Sequence, residues 1–433
     1  MRIAQVVPGF GGRFYCENCI RDLELPRALE EEGHRVTVLP MYLPISVTRM
    51  AGDSGPIFFG AVKVFLEHRL PFLRRPPRWV EALLSSPLLL RTASRFSGST
   101  RPAGLAEMTL AVLQGEEGPH AAELEKLAEW LAQRVQPDVV HLSNALLLGL
   151  ARGIKRKAGA PVVCTLQDED AWVDAMARAD ARAVWAAMKS RVPDVDAFVP
   201  VSRAYGQAMA PRLAIPPEKM RVVHGGIDPT GYEASPLPTD PPVIGYLSRL
   251  SEPQGLGVLV EAFLRLKEDR DLKGTPAGSV KLRATGGAAA EDGRFIRRLL
   301  RRLHAAGAAH QVEILPAFDR DSRIRFLSSL SLLSVPALKG QAFGLALLEA
   351  MAAGVPVVQP ALGAFPEIVE ETGGGFLYEP NDPARLAEKL RSLLLEPDAI
   401  RRAGARGRES VHRRFSVRET ARRLLQVYRS CTA

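Results

Sequence analysis

Cysteine is scarce in this chain. There are four in 433 residues, and only Cys16 and Cys19 lie close together, so no disulfide framework is expected. Long apolar runs are also missing. The most apolar stretch, 344–365, is broken by Glu349, Pro356 and Gln359, which excludes a membrane-spanning helix. The apolar run 2–7 is too short for the core of a secretory leader and stops at a Gly-rich turn. It reads as a first strand, and the protein as cytoplasmic. Internal repeats and low-complexity tracts are absent. Acidic residues are in deficit, 48 against 57 basic ones, for a formal charge of +9. Such a balance favours polyanionic partners, whether nucleic acid, anionic lipid or phosphorylated small molecules. What remains is ordinary: 46% apolar and 24% charged residues describe a folded globular protein. At roughly 100–200 residues per domain, the length predicts two or three domains.

Short β-branched runs at 2–7, 35–40, 138–142, 161–165 and 197–201 alternate with segments of helical spacing. Strands apolar on both faces predict a parallel sheet covered by helices. Five prolines between Asp228 and Val243 interrupt any regular element, so 229–242 is expected to be a linker between a first domain, 1–228, and a second, 243–412. In the second domain strands are expected at 243–247, 280–284, 311–315, 331–335 and 355–359, and helices at 255–268, 291–305, 320–330 and 344–353. The fold class is α/β, with two doubly wound Rossmann-like domains and ligands expected at strand C-termini and in the cleft between domains. A last helix near 416–430, within 413–433, is expected to cross back onto the first domain. Residues 45–125, with Pro71, Pro76, Pro77 and Pro87, read as a helical insertion.

The segment 340–358, Gly-Gln-Ala-Phe-Gly-Leu-Ala-Leu-Leu-Glu-Ala-Met-Ala-Ala-Gly-Val-Pro-Val-Val, carries the most chemistry. A Gly-containing turn opens a helix whose free amides and positive dipole end suit a diphosphate, and Glu349 inside that helix offers two acceptors to adjacent ribose hydroxyls. The bland alternative is a helix with a solvated Glu and a Gly at its end. The segment resembles the nucleotide-sugar-dependent glycosyltransferases of family 4, retaining enzymes of the GT-B fold, whose signature places two Glu eight apart around a Phe-Gly. Further matches follow in order. Gly9-Phe10-Gly11-Gly12 after the first strand resembles the family's donor-facing Gly-rich loop, Asp138-Val139-Val140-His141 its strand ending in His, and Gly245–Gly255 its Gly-Arg-Leu…Glu-Lys-Gly loop. Thr285-Gly286-Gly287 and Pro366-Glu367 match two smaller elements for which turn and capping roles serve equally well.

The resemblance implies a retaining hexosyltransferase using a UDP-, GDP- or ADP-sugar, with no cofactor and no required metal. Glycan, lipid-linked and small-molecule acceptors all remain open. It implies that Arg249 stabilises the leaving diphosphate, that His141 lies near the transferred sugar, and that Gly11, Gly12, Gly286, Phe343, Gly344, Leu345 and Glu349 hold the donor. For His141 the alternative is a hydrogen-bonded structural residue. Three positions depart from the pattern: Gln341 stands for the first Glu, Gln254 for the Lys that partners Arg249, and Gln167 where many members have His. Losing one cation from a developing diphosphate costs about 10²–10³ in rate by analogy with oxyanion donors. The rival expectation is therefore a non-catalytic nucleotide-binding scaffold in a glycan pathway.

Two features stand outside the resemblance. Cys16-Glu17-Asn18-Cys19 has the spacing of a redox pair at a helix start, lacks the partners of a zinc site, and fits small buried thiols best. Arg69, Phe72, Arg74, Arg75, Arg78 and Trp79 mix basic and apolar groups in the insertion, fit either for peripheral contact with an anionic inner membrane surface or for a packed helix pair with a solvated basic side. No nucleic-acid recognition motif is present, and the basic residues are scattered rather than striped.

Overall fold

The structure is a computed structural model that describes residues 1–9, 14–41, 53–54, 105–234 and 236–432. Gly11, Gly12 and the basic and apolar residues 69–79 lie outside the described residues. The chain divides into two compact units: unit 1 is Met1–Gly11, Asn18–His224 and Thr420–Ala433, and unit 2 is Gly12–Glu17 and Gly225–Glu419. The proline-rich stretch 229–242 thus falls within unit 2, after a changeover between His224 and Gly225. Hydrogen bonds within unit 2 account for this. Ile227 donates to the Phe415 carbonyl at 3.0 Å, Val417 donates to Ile227 at 2.7 Å, and the Ser331 hydroxyl donates to the Pro238 carbonyl at 2.5 Å.

In unit 1 the strands β1 (Arg2–Val7), β2 (Arg35–Pro40), β3 (Asp53–Ser54), β4 (Val139–Leu142), β5 (Val162–Leu166) and β6 (Ala197–Pro200) lie in the order β3-β2-β1-β4-β5-β6. In unit 2, β7 (Val243–Leu247), β8 (Lys281–Thr285), β9 (Val312–Ile314), β10 (Leu332–Leu333), β11 (Val357–Pro360) and β12 (Gly375–Tyr378) lie in the order β12-β11-β10-β7-β8-β9. All neighbours pair in parallel. Each sheet therefore has the doubly wound Rossmann order, reversing direction at β1/β4 and at β7/β10, where loops diverge and leave a crevice for ligands. Burial explains the apolar runs: every residue of β4, β5 and β7 is buried, as helices on both faces require.

The helices Leu256–Glu268, Gly293–Ala305, Arg320–Leu327 and Leu345–Ala352 lie where helical spacing predicts them. Three more, Phe365–Thr372, Pro383–Leu394 and Pro397–Arg414, complete unit 2. Asp382 caps the second of these, accepting from the Arg385 amide at 2.9 Å ahead of Pro383 in the first turn. The terminal helix Val417–Thr432 belongs to unit 1 from Thr420 onward. Its Thr420 hydroxyl donates to the His224 carbonyl at 3.0 Å. Among the described residues no helix is long and apolar enough to cross a membrane.

Two glycines set the loops at the β7/β10 reversal. Gly286 has φ +132°, and a Cβ there would meet the Ser248 carbonyl oxygen at 2.1 Å; Gly255 has φ +78°, and its Cβ would meet the Pro336 oxygen at 1.8 Å. The loops after β7, β8 and β10 thus touch backbone to backbone. Replacing Gly286 by Ala is expected to cost more than about 2 kcal/mol, combining left-handed strain with a backbone clash. Urea unfolding of the variant checks this, and a loss below half that size would contradict the packing described.

Candidate functional site

The helix Leu345–Ala352 begins after Gly344, at φ +110°, so its first amides have no partner within the helix. They are occupied. The backbone N–H groups of Leu345 and Ala346 donate to the Glu17 carboxylate at 2.8 and 3.3 Å. One turn on, Glu349 is 2% exposed and fully engaged. Its Oε1 accepts from Arg323 Nε at 2.9 Å and Tyr232 Oη at 2.5 Å, and its Oε2 accepts from Tyr15 Oη at 2.7 Å. Burial, then the Glu349 charge, pushes the Tyr15 hydroxyl well above its ordinary pKa, so it stays a donor. The solvated-Glu alternative does not hold, because Glu349 is a buried ion pair with Arg323.

Arg249 follows β7 and is ion-paired to two carboxylates that the sequence reading did not single out. Its Nε lies 2.7 Å from Asp292 and its Nη2 2.9 Å from Glu291, both just ahead of helix Gly293–Ala305. Burial alone would lower the Arg249 pKa, but bonds to Asp292 and Glu291 raise it. The Phe14 ring lies 4.7 Å from the guanidinium carbon. Phe14 also bridges to Gly287, and Tyr15 donates its amide to the Gly286 carbonyl at 2.6 Å. Gln341 and Gln254, the two departures from the family pattern, are partners: Gln341 Nε2 donates to Gln254 Oε1 at 2.8 Å. Phe343 is buried, whereas Lys339, near enough in sequence to replace a lost cation, is exposed.

In unit 1 His141 ends up in the core. It is 1% exposed, with Nε2 2.7 Å from Thr165 Oγ1 and Nδ1 2.7 Å from Tyr428 Oη. Both ring nitrogens are thus engaged within unit 1, one by a neighbouring strand and one by the terminal helix. Burial, and then Arg21, lower its pKa to about 3. Gln167 donates to the Ser143 carbonyl at 2.5 Å. The buried Glu169, which the sequence reading passed over, accepts from the amides of Ala145 and Gln167 and from Tyr205 Oη, and burial pushes its pKa up to about 7. The Asp22 carboxyl is likewise pushed to about 7 by burial, against the pull of Arg21, Ser143 and Gln167.

The cysteine expectation needs correction. Cys16 and Cys19 are disulfide-bonded rather than free buried thiols, while Cys164 and Cys431 are free. The physical reason is local: the helix Glu17–Glu31 starts between the two residues, and its first turn brings positions three apart onto one side.

Residues 107–230 match the family model described as Glycosyltransferase Family 4, and residues 231–410 match that described as Glycosyl transferases group 1. Alpha-maltose-1-phosphate synthase of Mycolicibacterium smegmatis is 29% identical over 267 residues, 57% of this chain and 66% of that protein. For three curated relatives the matched length runs from 44% to 66% of the relative, so the chain spans about half to two thirds of them. Sucrose-phosphate synthase from Thermosynechococcus elongatus superposes with a TM-score of 0.69 at 18% identity, over 99% of this chain and 98% of that one. Anabaena HepE in complex with UDP gives 0.65 at 17%, over 99% and 100%. At such identities the likeness is one of fold.

Two predictions follow from burial. Arg323→Ala leaves the Glu349 carboxylate buried without its cation and is expected to cost about 3–5 kcal/mol, read by urea unfolding; a cost under 1 kcal/mol would mean that water reaches Glu349. The second concerns pH. Unfolded His141 takes a proton near 6.5 and folded His141 only near 3, so its contribution to stability is complete above 6.5 and lost as pH falls from 6.5 toward 3. Glu169 acts with the opposite sign, disfavouring the fold as pH rises from 4.5 to 7, but it is common to wild type and His141→Gln. Wild type is therefore expected to lose more stability than His141→Gln between pH 7.5 and 5. Parallel melting curves would show that His141 is protonated in the fold.

Proposed function

The chain belongs to the glycosyltransferases of family 4 and group 1, with the GT-B fold, and on that premise we propose that it moves a glycosyl group from a nucleoside-diphosphate sugar to an acceptor hydroxyl with retention of configuration. The observation that carries the donor reading is an anion already seated on the Leu345 and Ala346 amides. A carboxylate there occupies the place where a diphosphate would be met by a helix N-terminus. The UDP held by HepE, a neighbour in fold, supports the same ligand class. Gly344 and Phe343 shape the turn, and Gly286 lets the β8 loop approach closely. Arg249 exchanges a carboxylate for phosphate and stabilises the charge that grows on the leaving diphosphate. Glu349 receives ribose hydroxyls in place of Tyr15. The acceptor attacks from the face the diphosphate leaves, with the departing phosphate taking the hydroxyl proton and no metal required.

Gln254 and Gln341 favour a second reading, a nucleotide-binding scaffold without turnover, because their amide pair supplies neither a cation for the diphosphate nor a charge beside the sugar. Purified protein incubated with UDP-, GDP- and ADP-sugars and candidate acceptors decides between them. Release of nucleoside diphosphate, unaffected by EDTA and reduced about 10²–10³-fold by Arg249→Ala, is expected of the enzyme. Nucleotide binding with no release from any donor would leave the scaffold. Because the two glutamines touch, Gln254→Lys with Gln341→Glu is expected to couple favourably by about 0.5–3 kcal/mol in a double-mutant cycle of stability. Additive effects would separate the pair.

A further inference from the structure

Three residues of one short segment of unit 2, Phe14, Tyr15 and Glu17, engage three groups that the proposed function assigns to the donor. The Phe14 ring lies against Arg249, Tyr15 donates to Glu349 Oε2, and the Glu17 carboxylate accepts from the amides of Leu345 and Ala346. Glu17 resembles a bound phosphate in charge and in the amides it takes. Backbone contacts hold the same segment: Tyr15 donates to Gly286 and Phe14 bridges to Gly287, which continue the strand β8. Glu17 also sits inside the Cys16–Cys19 loop, because both cysteines are disulfide-bonded and the other two in the chain are free. A covalent ring of four residues restricts the backbone that presents the carboxylate.

We propose that residues 14–17 form an internal plug in the donor seat, with Glu17 standing in for the diphosphate, and that the Cys16–Cys19 disulfide locks the plug in place. The proposal rests on the donor reading given above and adds regulation to it. Release is a thiol–disulfide exchange with a dithiol reductant. Its thiolate attacks one cysteine sulfur, the S–S bond breaks, and the reductant's second thiol resolves the mixed disulfide. Two electrons and two protons pass to the protein, leaving two cysteine thiols and an oxidised, cyclic reductant. Once the ring is open, the segment regains backbone freedom and the carboxylate competes less effectively with phosphate. The site is thus closed under oxidising conditions and open under reducing ones.

Titration calorimetry of the full chain with UDP, GDP and ADP tests this, using protein whose disulfide has been verified by thiol counting. Relative to oxidised wild type, Glu17→Ala and Glu17→Gln are expected to bind the preferred nucleotide at least about fivefold more tightly, since each removes the competing charge from the helix N-terminus. Dithiothreitol-treated wild type and the Cys16→Ser/Cys19→Ser variant are expected to tighten binding about threefold or more, because the ring that fixes the plug is open. Melting temperatures confirm that each variant is folded. Unchanged or weaker binding by both Glu17 variants would overturn the plug and make Glu17 a cap of the helix. Tighter binding by those variants with no response to reduction in wild type would overturn the lock. If none of the three nucleotides binds any form, the donor seat itself is misassigned, and the plug falls with it.

Discussion

The candidate site is organised by a carboxylate that water does not reach. Glu349 lies 3% exposed in its side chain beside Arg323, itself 8% exposed, and burying such a charge is tolerable only because a guanidinium and two phenol hydroxyls surround it. The four groups come from separate places: helix Leu345–Ala352, helix Arg320–Leu327, the segment carrying Tyr232, and residues 14–17. Arg323 is fixed further by donating to the Phe318 carbonyl at 3.1 Å. Satisfying Glu349 therefore fixes the rotation of the helix it stands on. With the rotation set, the amides of Leu345 and Ala346 have one direction in which to point, and the anion seat follows from a core interaction.

The scaffold was legible because its signals are periodic. Strands such as β1, β5 and β7 are buried along nearly their whole length, so they read as apolar runs, and helices such as Leu256–Glu268 show a repeating apolar stripe. Two strands escaped for physical reasons. β3 is only Asp53–Ser54, with no β-forming character, and β12 is Gly375–Tyr378, an edge strand three-quarters of whose residues are half-buried. Helix Pro383–Leu394 carries a start signal of its own in Asp382 and Pro383, a cap and a first-turn proline.

The site was legible in its motif and not in its partners. Spacing placed Gly344 and Glu349 on one helix. What spacing cannot show is which distant side chain completes each charge: Tyr15 and Glu349 are 334 positions apart, and Arg249 meets Asp292 43 positions away. The two glutamines illustrate the same limit. Read singly, Gln254 and Gln341 each subtract a charge from the family pattern; in space they bond to each other at 2.8 Å. A Lys and a Glu at those positions would be opposite charges in contact, so the exchange is better described as one neutral pair for one ion pair. The local net charge does not change by it.

That leaves the charge around the seat to be explained by other groups. Among the described residues Arg249 is paired with Glu291 and Asp292 and Arg323 with Glu349, while the Glu17 carboxylate takes the helix amides. A diphosphate adding more negative charge to this set would meet repulsion strengthened by the low local dielectric. Glu349 cannot leave without exposing Arg323 to the same penalty, and Asp292 is held by the Ala289 amide at 2.8 Å as well as by Arg249. Glu17 differs from both. The Leu345 and Ala346 amides that it takes are backbone dipoles, which a phosphate oxygen satisfies equally well. Glu17 stands on the amides where the proposed diphosphate would bind, so its displacement would accompany donor entry.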